Sequence, residues 1–239
     1  MPRTGGQVVW VTGASRGIGA AVAEAFAYQG ACVVLSGRNR AALARGAARI
    51  RAEGGKAVAL ACDVTSERSV KHAFEEIVRK FRNIDVLVNN AGVTSFASFE
   101  KTSIAEFDRI VATNLRGTFL CTKSVLSTML RRKNGSIINI ISVSAIATFT
   151  NSSAYASTKA GVLAMSRGLR AEVRDKGIRV INVLPGAVET QMWPEKIRKE
   201  RKEEMMKVDD VANIILSVFN QPAGVLTEEI IIRPRGGDL

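Results

Sequence analysis

Residues 8–26 read VVWVTGASRGIGAAVAEAF, and this stretch decides the fold that the chain is expected to adopt. An apolar, β-rich run leads into a glycine turn, and the turn opens a segment with helical periodicity. Gly13 permits a tight turn, whereas Gly17 and Gly19 let the start of the helix approach both a ligand and the sheet. The free amides and the positive dipole end of that helix then favour a bound pyrophosphate.

The same alternation of strand and helix continues along the chain. Short apolar strands without strict alternation, joined by helices, are typical of a parallel sheet covered on both faces, with right-handed crossovers. We therefore predict an α/β fold, a single doubly wound Rossmann domain over residues 1–239 with about seven parallel strands flanked by helices. The predicted strands are 8–11, 31–35, 57–61, 86–88, 136–141, 179–184 and 229–233, and the predicted helices are about 17–29, 40–53, 67–81, 103–132, 153–175 and 208–219.

One irregular insertion, QMWPEKIRKERKEEMMK (191–207), separates a strand end from the next helix. A segment at this place lies over the ligand crevice, so we predict that it forms a short substrate lid. Its flexible and apolar side chains, Met192, Trp193, Met205 and Met206, favour a hydrophobic substrate.

Composition excludes several classes of protein. The chain has 46% hydrophobic and 23% charged residues, no apolar run long enough for a membrane span and no secretory signal at its start. The cysteines Cys32, Cys62 and Cys121 are odd in number and lack metal-ligand spacing, which is typical of buried free thiols in a reducing cytosol. The one histidine, His72, falls on a predicted helix surface behind a Ser66 cap. We expect a cytoplasmic protein with no metal, no membrane partner and no histidine-based triad.

The net charge of +12 raises the possibility of a nucleic acid, a lipid surface or an acidic substrate. The basic residues are spread along the chain, and aromatic residues make up only 5%, too few for an obvious base-stacking platform. Nucleic acid is therefore not a predicted partner. Arg131, Arg132, Lys133 and Lys176 suit either a patch for an acidic carrier protein or CoA thioester, or ordinary solvated charge.

The end of the second strand indicates which nucleotide the turn would bind. The strand ends in LSGR (35–38), without the acidic residue that usually holds the ribose 2′-hydroxyl of NAD. Arg38 follows the strand instead, and Arg16 lies in the glycine turn. Two guanidinium groups near one ribose suit a 2′-phosphate, so we predict NADP(H) rather than NAD(H). The alternative is that Arg38 points to solvent.

Two further motifs follow the third and fourth strands. In CDV (62–64), Asp63 can accept a hydrogen bond from an adenine amino group, or it can serve as an ordinary turn or cap residue. In NNAG (89–92), small residues and an asparagine let backbone and amide groups approach a cofactor closely.

A serine, a tyrosine and a lysine supply candidate chemistry. Tyr155 and Lys159 stand four residues apart and share one face of a predicted helix. A neighbouring ammonium favours phenolate and lowers the pKa of a phenol, which is ordinarily about 10, towards the range useful for acid–base catalysis. Ser142 follows a buried strand, at the edge of the sheet where ligands bind. A tyrosine–lysine pair alone is more often a surface pair, so the prediction depends on the remaining motifs.

In order and spacing, these motifs resemble the short-chain dehydrogenase/reductase family over nearly the whole chain, and the chain is similar to its 3-oxoacyl-acyl-carrier-protein reductase members. The resemblance is carried by TGASRGIG (12–19), CDV (62–64), NNAG (89–92), Asn114, Ser142, YASTK (155–159) and PGAVET (185–190). The C-terminal EEIIIRPRGGDL departs from that subgroup, whose members usually end in a glycine-rich stretch with a terminal Met or Val.

The resemblance implies a role for each matching residue. Tyr155 would be the general acid or base, Ser142 would bind the substrate oxygen, and Lys159 would lower the pKa of Tyr155 and bind the nicotinamide ribose. Asn114 would position a water in a proton relay. The implied cofactor contacts are Gly13, Ser15, Arg16, Gly17, Ile18, Gly19, Arg38, Asp63, Val64, Asn90, Ala91, Gly92, Tyr155, Lys159, Pro185, Gly186, Val188 and Thr190.

The implied activity is NADP(H)-dependent hydride transfer between nicotinamide and a carbonyl or secondary alcohol. A 3-oxoacyl thioester and a generic ketone or aldehyde stay level as substrates. The resemblance also implies a homotetramer, with a dimer next, in which helices 103–132 and 153–175 meet through small residues. A non-enzymatic alternative is a nucleotide-sensing or nucleic-acid-binding module on the same fold.

Overall fold

The computed structural model describes residues 6–222 and 224–238, so residues 1–5, 223 and 239 of the predicted domain lie outside the described residues. The described strands form one parallel sheet in the order β3-β2-β1-β4-β5-β6-β7. These strands are β1 (Val8–Thr12), β2 (Cys32–Gly37), β3 (Lys56–Ala61), β4 (Val86–Asn89), β5 (Gly135–Ile140), β6 (Ile178–Pro185) and β7 (Glu229–Ile232). This order confirms the predicted fold class, and it reverses between β1 and β4, where a ligand crevice is expected.

Helices cover both faces of the sheet. They are α1 (Gly17–Tyr28), α2 (Arg40–Ala52), α3 (Glu67–Phe81), α4 (Ile104–Ile110), α5 (Gly117–Arg132), α6 (Ser153–Val173), α7 (Glu195–Glu200) and α8 (Val208–Phe219). Because side chains alternate along a strand, adjacent residues of β1 serve different cores. Val9 packs with Phe26 and Phe219 on the face of α1 and α8, whereas Trp10 packs with Ile77 on the opposite face.

The predicted helix 103–132 is divided in the structure. A π-helical turn, Val111–Arg116, separates α4 from α5. Such a turn inserts a residue into the helical repeat and often occurs at functional sites. The turn carries Asn114, whose side chain is buried.

The predicted lid is closed at its base by backbone pairing. Val188 and Met206 form a parallel bridge, in which Met206 N donates to Ala187 O at 3.0 Å and Glu189 N donates to Met206 O at 2.9 Å. Met205 is buried and Met206 packs against the core, so neither methionine faces the cleft as the lid prediction required.

The predicted basic residues lie at the amino-terminal edge of the sheet. Lys133 and Lys176 precede the amino-terminal ends of β5 and β6. Ligands of such sheets bind at the carboxyl ends, which for a six-residue strand is roughly 20 Å away. Arg132 pairs with Asp85, and the choice between a docking patch and solvated charge stays a prediction.

Further predictions on the α3 cap, the histidine, the cysteines and membrane spans can be compared with the structure. The Ser66 hydroxyl caps α3 by accepting a hydrogen bond from Ser69 N at 3.3 Å, and His72 is exposed on that helix, both as predicted. Cys62 and Cys121 are buried and Cys32 is half-buried, and the three thiols are free. Among the described residues, no helix has the length and apolar character needed to cross a membrane.

Candidate active site

A cleft of about 990 Å³ runs along the carboxyl ends of the strands. The structure brings to it all but two of the predicted site residues. Those that line it are Gly13, Ser15, Arg16, Gly17, Ile18, Arg38, Asp63, Val64, Asn90, Ala91, Gly92, Ser142, Tyr155, Lys159, Pro185, Gly186, Val188 and Thr190. The other two, Gly19 and Asn114, lie behind the lining.

The glycine turn is held against the loop that follows β4. The amide of Asn90 donates from Nδ2 to Thr12 O at 2.9 Å and to Gly13 O at 3.1 Å, and the Thr12 hydroxyl accepts from two backbone amides of the NNAG loop. Gly13 has φ +64°, and a Cβ there would lie 2.8 Å from Ala91 Cα. A Cβ at Gly19 would lie 2.3 Å from Asn90 Nδ2, so the Asn90 side chain occupies the space beside this glycine. The Asn90 side chain therefore shapes the turn.

Three arginines line the cleft, and two of them, Arg38 and Arg45, follow β2 along the chain. Arg38 and Arg45 line the cleft, are exposed and have no hydrogen-bond or ion-pair partner among the described residues. The sequence prediction did not include Arg45, which lies on α2 seven residues after Arg38. Arg16 also lines the cleft, and its guanidinium donates to the side chain of Gln191 in the lid. The three charges make the cleft a site for an anion.

Asp63 has a local partner as well as a place in the cleft. Its Oδ1 atom accepts hydrogen bonds from Thr65 N at 3.0 Å and from the Thr65 hydroxyl at 2.8 Å. This is the turn role that the sequence offered as an alternative. The adenine contact stays a prediction.

Ser142, Tyr155 and Lys159 meet at the centre of the cleft, beside the end of β5. Ser142 lies just past the strand and is hydrogen-bonded to Tyr155, while its Oγ accepts from Ser144 N at 3.1 Å. The Nζ atom of Lys159 donates to Ile140 O at 2.8 Å and lies 5.6 Å from the centre of the Tyr155 ring. The three side chains can therefore act on one substrate oxygen together.

The pKa values of this pair differ from the prediction. Tyr155 is half-buried as a residue, but its phenolic group is surrounded by protein atoms. Burial raises the pKa of Tyr155 to about 12, because the charged phenolate is disfavoured, and the hydrogen bond with Ser142 lowers it. Burial also lowers the pKa of Lys159 to about 8. The lowered tyrosine pKa expected from the lysine is thus outweighed by burial in this arrangement.

Asn114 connects the π-helical turn to the cleft from behind. Its Oδ1 accepts from Val93 N at 2.9 Å, and its Nδ2 donates to Val93 O at 2.9 Å and to the Thr158 hydroxyl at 3.1 Å. The side chain therefore clamps the NNAG loop to α6, next to Lys159. The water-positioning role implied for Asn114 stays a prediction.

The segment after β6 closes the end of the cleft beside Tyr155. Gly186 N donates to Ile232 O at 2.7 Å, and a Cβ at Gly186 would lie 3.2 Å from the Asp238 carboxylate. Asp238 also lines the cleft and pairs with Arg233. The sequence did not predict this carboxylate as a cleft residue, since only the fold brings the chain end beside the β6 turn.

Aromatic side chains line the remaining wall. Phe96, from the loop after β4, stacks on Trp193 of the lid with ring centres 5.4 Å apart and an interplanar angle of 27°. Phe149, from the segment between Ser142 and Tyr155, lines the same cleft. The sequence prediction noted Trp193 but neither phenylalanine.

Comparison with known proteins identifies relatives over the whole length of the chain. The family model described as short chain dehydrogenase matches residues 7–201. A sepiapterin reductase of Chlorobaculum tepidum is 35% identical over 239 residues, covering 97% of this chain and 98% of that protein. A 3-oxoacyl-(acyl-carrier-protein) reductase of Aquifex aeolicus is 34% identical over 235 residues, covering 95% of each.

The fold also matches a solved structure, a metagenomic short-chain oxidoreductase in complex with NADP. The two share 32% sequence identity with a TM-score of 0.86, over 97% of this chain and 98% of that chain. Sequence and fold thus both indicate the same family, although the two named reductases differ in the substrate that their names specify.

Proposed function

The chain belongs to the short-chain dehydrogenase family, and on this premise we propose that it is an NADP(H)-dependent oxidoreductase that interconverts a carbonyl compound and a secondary alcohol. The observation that carries the proposal is the convergence of Ser142, Tyr155 and Lys159 in one cleft with the glycine turn. A binding module would have no need for an acid–base group beside a nucleotide site.

The residues present fit an NADP(H) molecule. Gly13 and Gly17 have positive φ values at the start of α1, so the backbone can approach a pyrophosphate at the helix N-terminus. Arg38 and Arg45 leave two guanidinium groups free at the end of β2, and the strand end carries no carboxylate. This charge favours a 2′-phosphate over a ribose hydroxyl. The NADP complex of the metagenomic relative supports the same choice.

The side chains can move a proton to the substrate oxygen in the reductive direction. Bound NADPH supplies the hydride to the carbonyl carbon. Tyr155, with its pKa raised to about 12, is protonated at neutral pH and can donate that proton to the oxygen. Ser142 lies beside the phenol and can donate a second hydrogen bond to the same oxygen. Lys159, held by Ile140, stabilises the phenolate that remains.

Two substrate classes remain in the proposal. The relative from Aquifex aeolicus supports a 3-oxoacyl thioester, and the small polar and aromatic lining of the cleft supports a generic ketone or aldehyde. The sepiapterin reductase adds sepiapterin as a candidate outside the thioester class. A carrier protein gains no support from the basic patch at the far edge of the sheet.

NADPH and NADH titrations followed by a substrate panel test the proposal. The panel contains simple ketones and aldehydes, a 3-oxoacyl thioester and sepiapterin. We expect tighter binding of NADPH, and its oxidation by at least one panel member. Binding without turnover would leave the cofactor assignment standing and the substrate open. Absence of binding to both nucleotides would favour the non-enzymatic module instead.

We also propose a cytoplasmic homotetramer, with a dimer as the alternative. Ala160, Ala164 and Gly168 form an exposed stripe of small residues along α6, beside a shallow recess of about 400 Å³. Two other small residues of this helix, Ala154 and Gly161, pack inside the subunit, so only part of its small-residue surface is free for helix contact between subunits. Size-exclusion chromatography with light scattering measures the assembly.

A further inference from the structure

The stacked pair of Phe96 and Trp193 joins two segments that both line the cleft. One ring comes from the loop after β4 and the other from the lid, and both side chains line the cleft. The Phe96 side chain retains 46% of its surface exposed. A large apolar ring left half in water loses much of the stabilisation that burial would give, roughly 25 cal/mol for each Å².

Aromatic rings offer more than apolar area. Pairs of rings in offset-stacked or edge-on contact are stabilised by about 0.5–1.5 kcal/mol beyond the burial of their surface. Because Phe96 and Trp193 are already stacked, the ring faces and edges that remain exposed can extend the stack by another planar group. An alkyl chain in the same place gains the burial but not the stacking.

The aromatic wall also has a fixed relation to the catalytic side chains. Phe149 lies in the segment between Ser142 and Tyr155 and lines the same cleft. The three aromatic residues line the same cleft as Ser142, Tyr155 and Lys159, so a ring bound against them shares the cleft with the groups that act on the substrate oxygen. A compact substrate, with its carbonyl close to its ring, suits this arrangement.

We infer that Phe96, Phe149 and Trp193 form a recognition wall for a planar aromatic ring, and that the substrate is a compact aromatic carbonyl compound. This inference rests on the proposed function, because it names the substrate class of the same site. The inference favours a ketone or aldehyde over a 3-oxoacyl thioester, the two substrate classes between which the proposed function does not choose. A linear 3-oxoacyl thioester has no ring to complete the stack.

The test compares an aromatic and an aliphatic diketone that present the same reacting group. With NADPH as the reductant, kcat/KM is measured for 1-phenyl-1,2-propanedione and for 2,3-hexanedione. Substitutions Trp193→Leu and Phe96→Leu remove one ring each and keep an apolar side chain. We expect the aromatic-to-aliphatic ratio of kcat/KM to fall about tenfold in each, the upper end of the effect of a ring pair.

Two further variants separate stacking from general damage. Trp193→Phe keeps a ring and should retain most of the wild-type ratio. Phe99→Leu is the matched control, since Phe99 lies three residues after Phe96, is 84% exposed and does not line the cleft. An unchanged ratio in both leucine variants at the cleft, or an equal fall in Phe99→Leu, overturns the inference.

A binding measurement keeps the inference separate from the activity. Trp10 is fully buried and Trp193 borders the cleft, so quenching of tryptophan fluorescence by acetophenone reports mainly on Trp193. Saturable quenching that is weakened about tenfold in Phe96→Leu, which keeps Trp193 as the reporter, and is unchanged in Phe99→Leu supports the aromatic wall, even if no carbonyl compound is turned over. Turnover of carbonyl compounds without saturable quenching or a change in ratio overturns the wall and leaves the proposed function intact.

Discussion

The ammonium of Lys159 is bound to the backbone of Ile140, 2.8 Å away, and not to the phenol of Tyr155. Because Ile140 ends β5, the sheet sets the position of the lysine, and the four-residue spacing on α6 places it beside the tyrosine ring. The charge is therefore held in a buried place at a cost to folding. This arrangement makes the lysine a source of instability as well as of chemistry.

Replacement of this lysine should stabilise the protein in a pH-dependent way. The pKa of Lys159 falls from an ordinary value of 10.5 to about 8 on folding, so the burial penalty is fully present below pH 8 and disappears as pH rises towards 10.5. At about 1.4 kcal/mol for each pKa unit, the penalty is on the order of 3 kcal/mol. We expect Lys159→Met to unfold at higher urea concentration than wild type at pH 7, and the difference to shrink by pH 10.

The control for this experiment is Lys71→Met, on the exposed surface of α3. Its stability difference from wild type should be small and independent of pH. Because the same three cysteines are present in all three proteins, their contribution to the pH dependence cancels in the comparison. If the free energies of unfolding of wild type and Lys159→Met differ by the same amount from pH 7 to pH 10, burial of the charged lysine does not destabilise the protein.

Removal of the Tyr155 hydroxyl should abolish turnover and leave nucleotide binding intact. Tyr155→Phe keeps the ring and removes the proton donor, and general acid catalysis typically contributes 10²–10⁴-fold. We expect kcat to fall by about that factor, with the NADPH dissociation constant changed less than about threefold. Retention of a comparable kcat would mean that another group delivers the proton.

Arg45, the cleft arginine on α2, should contribute to the preference for NADPH over NADH. Arg45→Ala is expected to weaken NADPH binding about tenfold and NADH binding little, since a charge-assisted hydrogen bond to phosphate is worth roughly 1.5–3 kcal/mol. Arg40→Ala removes the same charge from the same helix at a position that does not line the cleft. Fluorescence titration measures the dissociation constants of NADPH and NADH in both variants. Equal weakening of NADPH binding by the two substitutions would mean that only the overall positive charge matters, and not a contact made by Arg45.

Arg38→Asp extends the same argument to the residue that the sequence identified. A carboxylate at the end of β2 can hold a ribose hydroxyl and repels a phosphate. We expect the preference for NADPH over NADH to be lost or reversed. If both dissociation constants rise by the same factor in the titration, Arg38 does not read the 2′-phosphate.

The glycine turn allows a test of backbone strain against steric contact. Gly13 and Gly54 both have positive φ values, +64° and +83°, but a Cβ at Gly54 meets nothing within 4 Å. Gly54→Ala should lose about 1 kcal/mol of unfolding free energy from strain alone. Gly13→Ala should lose about 2 kcal/mol or more, because its Cβ also clashes with Ala91. Urea denaturation that ranks the two equally would show that the turn moves away from the loop.

The sheet was predictable because its signal is local. Each buried strand is a short apolar run, and the predicted and observed strand ends differ by no more than two residues. The prediction of one continuous helix over 103–132 was wrong, because a π-helical turn interrupts it. Such a turn has no characteristic composition, and its effect, the inward position of Asn114, is visible only in the structure.

Site residues that belong to a sequence motif could be predicted, whereas site residues that reach the cleft only through tertiary contacts could not. Gly13, Tyr155 and Lys159 follow from spacing along the chain. Phe96 and Asp238 reach the cleft only because distant segments of the fold meet there, and no periodicity marks either of them. Burial raises the pKa of Tyr155, and this effect depends on packing that a sequence pattern does not reveal, whereas the effect of Lys159 on that pKa stays a prediction.

The bridge between Val188 and Met206 has an evolutionary consequence. It pairs the backbone just before the predicted lid with the end of that segment, where Met205 is buried and Met206 packs against the core. The residues between those ends are mostly exposed, so they can be exchanged with little effect on the folding of the sheet. If the segment covers the substrate as predicted, its variation offers a route to new substrate preferences that leaves the sheet and the glycine turn unchanged.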